Sequence, residues 1–422
     1  MKVQTFTKLV TLSLIAATTL HATNGDNLIG IGAKARGMGG TGIAVSHGAE
    51  SALANPALIT SVEGTEISFG GTIFAPTITT TLNGAPGAPV PPQGAYKSDA
   101  NLNMIPEVSI ATKIDDNWYI GIGMWGTAGM GVDYSKAKFA PLTQGQFGNF
   151  NMVTNLQLLQ FGVPIAYKTG GLSIAVTPVL QYGNLDINYR MPTQAGTIAN
   201  VGTGLAQDFG FGFNAGATYD FSQDGVKGLT IGVNYKSSIK MKYDGQLTTA
   251  MKPFLDPRLG KLDPLASVTD TLEQPKEYGV GFAYEMGEHT FAFDYRKINW
   301  SSAQGYGDFG WKDSDVYAFG YQYAEDNWAV RLGYNHASSA VVEVRDARLN
   351  FFNLMGFPAT AENHYTVGGT YDVSKSFSVD LAYVYEPTST KTFSTVGLPL
   401  PFNTLTTDHK ESSLSFQLNY KF

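Results

Sequence analysis

Cysteine is missing from all 422 residues. That excludes disulfides, thiolate nucleophiles and cysteine metal centres, and it suits a chain exported unfolded without thiols to cross-link in transit. Charge is sparse, with Asp, Glu, Lys and Arg making up only 15% of the chain. Beyond the first residues, no run reaches the roughly 18 apolar residues of a membrane helix. A strand barrel, however, hides its apolar residues at every second position, and a mean hydropathy of −0.08 permits that arrangement. What is abundant is glycine, at 48 residues, and tyrosine, at 22. This composition fits a strand-rich protein with aromatic girdles and not a helical enzyme built on alanine, leucine and glutamate.

Residues 1–22 read as a secretory signal. Lys2 and Lys8 form a positive start, Leu9 to Leu20 a short apolar stretch diluted by threonine, and Leu20-His21-Ala22 a cleavage site of small-x-small type. Removing them leaves 26 basic against 35 acidic residues, a net charge of −9. An acidic exported chain is a poor partner for nucleic acid.

Strict alternation of apolar and polar residues marks the C-terminus, Leu414-Ser415-Phe416-Gln417-Leu418-Asn419-Tyr420-Lys421-Phe422. On a strand, such residues sort onto two faces. The pattern recurs with Phe209, Phe211 and Phe213 opposite Gly210, Gly212 and Asn214, and again with Tyr317, Phe319, Tyr321 and Tyr323. Trp328, Val330 and Leu332, then Phe377, Val379 and Leu381, repeat it. Glycine and alanine on the second face leave room inside a barrel. Short turns recur at 115–117, 169–171, 222–228, 285–288, 325–327 and 373–375, and longer loops lie near 83–99, 135–152, 192–208, 247–273, 303–310, 347–361 and 388–408. Six short turns and seven long loops predict an all-β fold, a 14-stranded antiparallel transmembrane β-barrel with short periplasmic turns and long external loops. The expected organisation is a signal over 1–22, an N-terminal hatch or plug over 23–62 and the barrel over 63–422.

Two segments match the G-x-G-x-x-G pattern, Gly37 to Gly42 and Gly121 to Gly126, but neither lies in a strand–turn–helix unit. Gly171-Leu172-Ser173-Ile174-Ala175 is a near miss to the nucleophile elbow and stands at the start of a strand, where an elbow ends one. His47, His289, His336, His364 and His409 form no H-E-x-x-H or other close ligand pair, so no metal, cofactor or catalytic residue is expected. The 135–152 loop carries Phe139, Leu142, Phe147 and Phe150. They read equally as a landing surface for a hydrophobic ligand or as packing of the loop on itself.

Asn55-Pro56-Ala57 has a physical logic of its own. Proline fixes its own φ and holds Asn55 extended, and the asparagine amide can satisfy backbone left unpaired in an irregular segment. With the following Leu58-Ile59-Thr60 it resembles the hatch motif of the FadL family of outer-membrane long-chain fatty acid and hydrophobic compound transporters. Phe209 to Gly216, Trp311-Lys312-Asp313 with Tyr317, Asp326-Asn327-Trp328 and the closing strand Leu418 to Phe422 extend the resemblance along the chain. The resemblance implies a barrel plugged by its N-terminal hatch, with Asn55, Pro56 and Ala57 in gating. It also implies a hydrophobic small-molecule ligand and lateral exit through a kink in the third strand, and with no energy source visible in the sequence the expected transport is diffusive. Gly126, Gly129 and Gly131 lie in that strand, and Gly129 best matches the kink. The basic residue that the family's fatty acid transporters place in their fifth strand falls here at Tyr182 or Gln181, while Lys312 keeps a second basic position. That departure favours a ligand without a carboxylate. Further implied partners are outer-membrane lipid, lipopolysaccharide and, through the C-terminal strand, the barrel assembly machinery. The competing expectations are a lipid-acting outer-membrane enzyme and a structural or adhesin barrel.

Overall fold

The structure, a computed structural model, describes residues 24–84, 95–136, 151–192, 198–255, 268–398 and 402–422. The signal and the loop residues Phe139, Leu142, Phe147 and Phe150 lie outside them. Fourteen strands among the described residues form one antiparallel ring. They are β1 (Thr65–Asn83), β2 (Asn103–Lys113), β3 (Trp118–Asp133), β4 (Val153–Gly162, continued by Ile165–Thr169), β5 (Leu172–Pro192), β6 (Ala206–Asp220) and β7 (Leu229–Lys236). The second half comprises β8 (Glu277–Met286), β9 (His289–Ile298), β10 (Ser314–Glu325), β11 (Trp328–Ala337), β12 (Asn363–Ser374), β13 (Phe377–Ser394) and β14 (Thr404–Lys421). Each pairs with its neighbours in sequence, and β1 closes the ring on β14 from Glu66↔Lys421 to Asn83↔Thr404. Closure pairs the first strand of the ring with the last, so no strand is left as an open end of the ring, as a lipid environment requires.

The two faces of the wall are inverted relative to a water-soluble sheet. On β14, Ser413, Ser415, Gln417 and Asn419 are at most 3% exposed, whereas Leu414, Phe416 and Tyr420 are at least 43% exposed. Phe209, Phe211 and Phe213 of β6 likewise point outward. The strand period of two therefore places apolar side chains against lipid and polar ones inside. Near the short turns, Trp118 packs against Tyr167, Tyr323 against Trp328, and Tyr420 against Phe422, forming an aromatic girdle.

The interior is filled from both ends. At the long-loop end, Tyr189, Phe254, Phe309, Trp311, Phe351 and Phe352 form a buried apolar cluster with residues of the upper strands. At the short-turn end, residues 24–62 are held within the ring by inward side chains of many strands. Inward glycines make this possible. A Cβ on Gly216 would stand 1.9 Å from Asn55 Oδ1, and one on Gly333 would stand 2.1 Å from the Gly39 nitrogen.

Candidate functional site: the N-terminal segment and the broken wall

Residues 24–62 contain only short helical pieces, Ala33–Gly37, Gly48–Glu50, Ser51–Ala54 and Pro56–Ser61, so many of their backbone groups need partners from elsewhere. The barrel supplies them. Glu107 accepts from the Gly32 N–H (2.7 Å) and Gln417 from the Ala33 N–H (2.8 Å). Asp294 accepts from both the Gly42 and Ile43 N–H groups (2.7 and 3.0 Å). Asn335 donates to the Gly39 carbonyl (3.0 Å) and Thr366 to that of Gly37 (3.0 Å). Arg36, fully buried, donates to Ser413 (2.7 Å) and to the Gly30 carbonyl (3.3 Å). Burial weakens the Arg36 cation, while the Glu107 and Glu411 carboxylates support it.

Asn55 is 0% exposed, and its side chain works in both directions. Its amide donates to the Ile43 carbonyl (2.7 Å), and its oxygen accepts from the Ala57 N–H (3.1 Å). It thus caps the 3₁₀ turn Pro56–Ser61 with Pro56 at the first position, where a missing N–H costs nothing. Asn234 reaches in from β7 to the Ala54 carbonyl (2.8 Å). The first G-x-G-x-x-G match is a turn of this segment, with Gly39 and Gly40 at φ of 69° and 83°. The Ser173 hydroxyl of the near-miss elbow lies 2.8 Å from that of Thr60.

The wall is irregular at β3. Its ladder with β2 runs from Lys113↔Tyr119 only to Glu107↔Trp125. On the other side, its register with β4 shifts between Gly126 and Ala128, leaving Thr127 as the extra residue of a bulge. The irregularity thus falls beside the glycines singled out in the sequence but is centred two residues before Gly129. Beyond Trp125, the N-terminus takes over the freed edge. The Leu28 N–H donates to the Thr127 carbonyl (3.1 Å), the Gly129 N–H donates to the Asp26 carbonyl (3.0 Å), and Asn27 bridges Ala128. Asp26 is held in turn, its carboxylate accepting from Gln274 (3.0 Å) and from the Tyr306 hydroxyl. Burial pushes the Asp26 carboxyl up to about 6, against the pull of those two donors.

Two cavities flank this contact. One is a small apolar space bounded by Met130, Leu185, Leu247, Leu272, Tyr306, Phe309, Trp311, Asn353 and Phe357. None of these is ionisable at neutral pH, and the Asn353 amide is already engaged with Trp311 and the Phe309 carbonyl. The other, larger and more polar, runs between the N-terminal segment and the wall and is bounded in part by Asn27, Leu28, Thr127, Gln160, Lys236 and Arg296. Tyr306 links the two regions, lining the first cavity and bonding Asp26 beside the second.

Two expected ligand contacts lie away from the apolar cavity. Tyr182 pairs in register with Phe209, and their rings stand 5.3 Å apart on the outer face, so Tyr182 does not enter the lumen. Its neighbour Gln181 does, fully buried and accepting from Gln160 (2.9 Å). Lys312 is exposed and absent from the lining of the apolar cavity, to which its neighbour Trp311 contributes. The cavity itself has a faint sequence trace, because its aromatic residues cluster in the loops after β9 and β11.

This barrel, with its internal N-terminal segment, can be set beside known proteins. The sequence matches the family described as "Outer membrane protein transport protein (OMPP1/FadL/TodX)" over residues 13–422. The chain belongs to this family. It is an outer-membrane β-barrel. It is 24% identical over 314 residues to the long-chain fatty acid transport protein of Escherichia coli O6:H1, covering 69% of this chain but only 60% of that protein. The chain thus matches less than two thirds of that relative's length. It is 23% identical over 413 residues to the 47 kDa outer membrane protein of Pasteurella multocida, covering 90% and 89% of the two chains. Among solved structures, the Pseudomonas putida toluene transporter TodX superposes with a TM-score of 0.67 at 17% identity, covering 95% of this chain and all of that one, which shows a shared fold.

Proposed function

We propose that this family member carries small uncharged hydrophobic molecules passively across the outer membrane. The observation that carries the reading is the apolar cavity beneath the long loops, whose lining offers no ionised group. A carboxylate entering it would lose water without gaining a cation, which is costly. Toluene, the substrate named for the structurally similar TodX, has the chemistry this lining accepts.

In this reading, residues 23–62 are the plug, and Asn55, Pro56 and Ala57 hold its fold. Ligand settles against Tyr306 and Trp311. Release of Asp26 to Leu28 from β3 then joins the apolar cavity to the break between β2 and β3, and the ligand leaves sideways into lipid. That route suits an apolar molecule, since release into water would cost about 25 cal/mol for each Å² of apolar surface exposed. Phe139, Leu142, Phe147 and Phe150 belong to the landing surface. The outer face meets lipid and lipopolysaccharide, and the C-terminal strand is the handle for barrel assembly. The long-chain fatty acid carried by the E. coli relative is the second candidate, with one specific feature in its favour. Arg348 lies in the loop-end region, yet Asp346 already pairs with it through two nitrogens.

The test is uptake by proteoliposomes of radiolabelled toluene against a labelled long-chain fatty acid, with wild type and Arg348→Gln. Toluene entry that is saturable and insensitive to Arg348→Gln is expected. Fatty acid entry that exceeds that of toluene and falls in the variant would replace the uncharged ligand with a carboxylate.

A further inference from the structure

Three side chains that could ligate a metal converge on the inner wall, His364 of β12, Glu386 of β13 and Glu411 of β14, and His409 of β14 stands beside Glu411 with its other ring nitrogen 3.5 Å from the Thr360 hydroxyl. All are at most 2% exposed. Their meeting is a product of register. His409 and Glu411 are two residues apart on one strand and share its inner face. Glu386 pairs directly with Glu411, and Tyr365 pairs with Tyr385, which makes His364 the next neighbour of Glu386. One extra residue is accommodated between Glu386 and Ser389, a bulge just where Glu386 must be aimed.

Directly opposed carboxylates destabilise a sheet pair, and more so in a buried site. Something must offset Glu386 against Glu411. Arg36 lies close enough to act on Glu411, but its hydrogen bonds go to Ser413 and the Gly30 carbonyl. The two imidazoles are placed oddly for simple hydrogen bonding. His409 Nε2 is 3.1 Å and His364 Nε2 is 3.6 Å from the Glu411 oxygens, ion-pair distances at which neither contact forms a well-aligned hydrogen bond. Both nitrogens of His364, both oxygens of Glu411 and one oxygen of Glu386 are buried without a hydrogen-bond partner. Such spacing is that of an imidazolium–carboxylate pair, and it is also the spacing of ligands around a common cation. Two ligands about 2.0–2.1 Å from a zinc ion at a tetrahedral angle stand about 3.3 Å apart, close to both contacts. The ligand atoms of His364, Glu386 and Glu411 all lie within 4.8 Å of one another.

We infer that His364, Glu386, His409 and Glu411 bind one divalent transition-metal ion, of which zinc is the best match. Two imidazoles exclude calcium and magnesium as the preferred guests, and two carboxylates with two neutral imidazoles give a neutral site around a dication. Four protein ligands make it a closed, structural centre. The surrounding shell fits. The other Glu386 oxygen accepts from the Glu362 N–H (3.1 Å), and Ser389 donates to the Thr360 carbonyl (2.8 Å), so the centre would tie the 356–362 segment to β12, β13 and β14. The site lies apart from the apolar cavity and does not depend on the transport reading.

The test uses the mature protein in detergent, without a polyhistidine tag, stripped with a chelator and titrated with Zn²⁺ or Co²⁺. Expected are one saturable equivalent, a rise in melting temperature, and visible ligand-field absorption from Co²⁺. His364→Gln and Glu411→Gln should each weaken binding by at least about tenfold, since removing even an outer-shell partner costs 10–100-fold, and should abolish the Co²⁺ bands. His289→Gln with His336→Gln should leave binding intact. Failure of the wild type to bind, or unchanged binding in His364→Gln and Glu411→Gln, overturns the site and leaves a proton shared between the two carboxylates. If those variants do not fold, as judged by loss of heat-modifiable mobility, X-ray absorption on zinc-loaded wild type decides. Two imidazoles in the first shell support the site, and none refutes it.

Discussion

At the long-loop end, the lumen is closed by Phe254, Phe309, Phe351, Phe352 and Trp311, side chains that attract one another without directional demands. At the short-turn end it is closed by an irregular backbone whose N–H and C=O groups are matched singly by Glu107, Asp294, Asn335, Thr366 and Gln417. The first kind of filling can shift by fractions of an ångström and still exclude water. The second cannot: each displaced partner leaves a buried polar group unsatisfied, at about 1–3 kcal/mol. The apolar end thus tolerates small shifts, whereas the polar end has few alternative arrangements that keep its hydrogen bonds.

Several substitutions would break or sharpen this contrast. The largest effect is expected from Phe352→Ala, which removes a ring 1% exposed and in contact with Tyr189, Phe254 and Phe309. A loss of roughly 3–5 kcal/mol should appear as a lower melting temperature in detergent, while protease access to the N-terminal segment stays as in wild type. Asn55→Ala should do the opposite at about 1–3 kcal/mol, exposing residues 24–62 to protease while the barrel keeps its heat-modifiable mobility. Equal sensitivity of both ends to both changes would mean that they are one cooperative unit.

Acidity offers a subtler probe. The Asp26 carboxyl is raised from 3.8 to about 6 in the docked state, so docking binds a proton. Docking is therefore firmest below about pH 4 and weakens as pH rises through 6. Hydrogen exchange at the Gly129 amide, followed from pH 5 to 7.5 and corrected for intrinsic rates, should show falling protection, and Asp26→Asn should flatten the trend. The smallest structural change is Gly129→Val. The variant should fold and bind ligand normally yet take it up more slowly, because a branched side chain crowds the edge that Asp26 occupies. Normal uptake at equal expression would remove β3 from the route.

Much of the wall was legible because strand alternation and connection length are local properties. The turns after β2, β4, β6, β8 and β10 lie where glycine, aspartate and asparagine cluster. Asn55 was legible for the same reason, since its cap to Ala57 spans two residues. Properties of register between strands were not. The bulge at Thr127 exists only as a mismatch between β3 and β4, so the glycines pointed to the strand but not to the position. Tyr182 illustrates how a one-residue slip moves a side chain to the opposite face: the inward neighbour is Gln181. His409 and Glu411 stand two residues apart, a strand-spaced pair that the reading of the histidines passed over, and His364 and Glu386 join only once three strands are aligned.

The seam between β1 and β14 has a further consequence, for the order of events during assembly. It joins the two extremes of the ring, and the last residue continues it, with the Phe422 N–H donating to the Thr65 carbonyl. Contacts this distant in sequence carry the largest loop-closure entropy and tend to form late. Residues 24–62 immediately precede β1 and are gripped by strands from both halves of the ring. A completed cylinder whose other end is packed with aromatic rings offers this stretch no easy way in. The segment is therefore best understood as a mandrel around which the sheet is wound, present before the seam zips. Pulse proteolysis during refolding should find it protected no later than heat-resistant mobility appears.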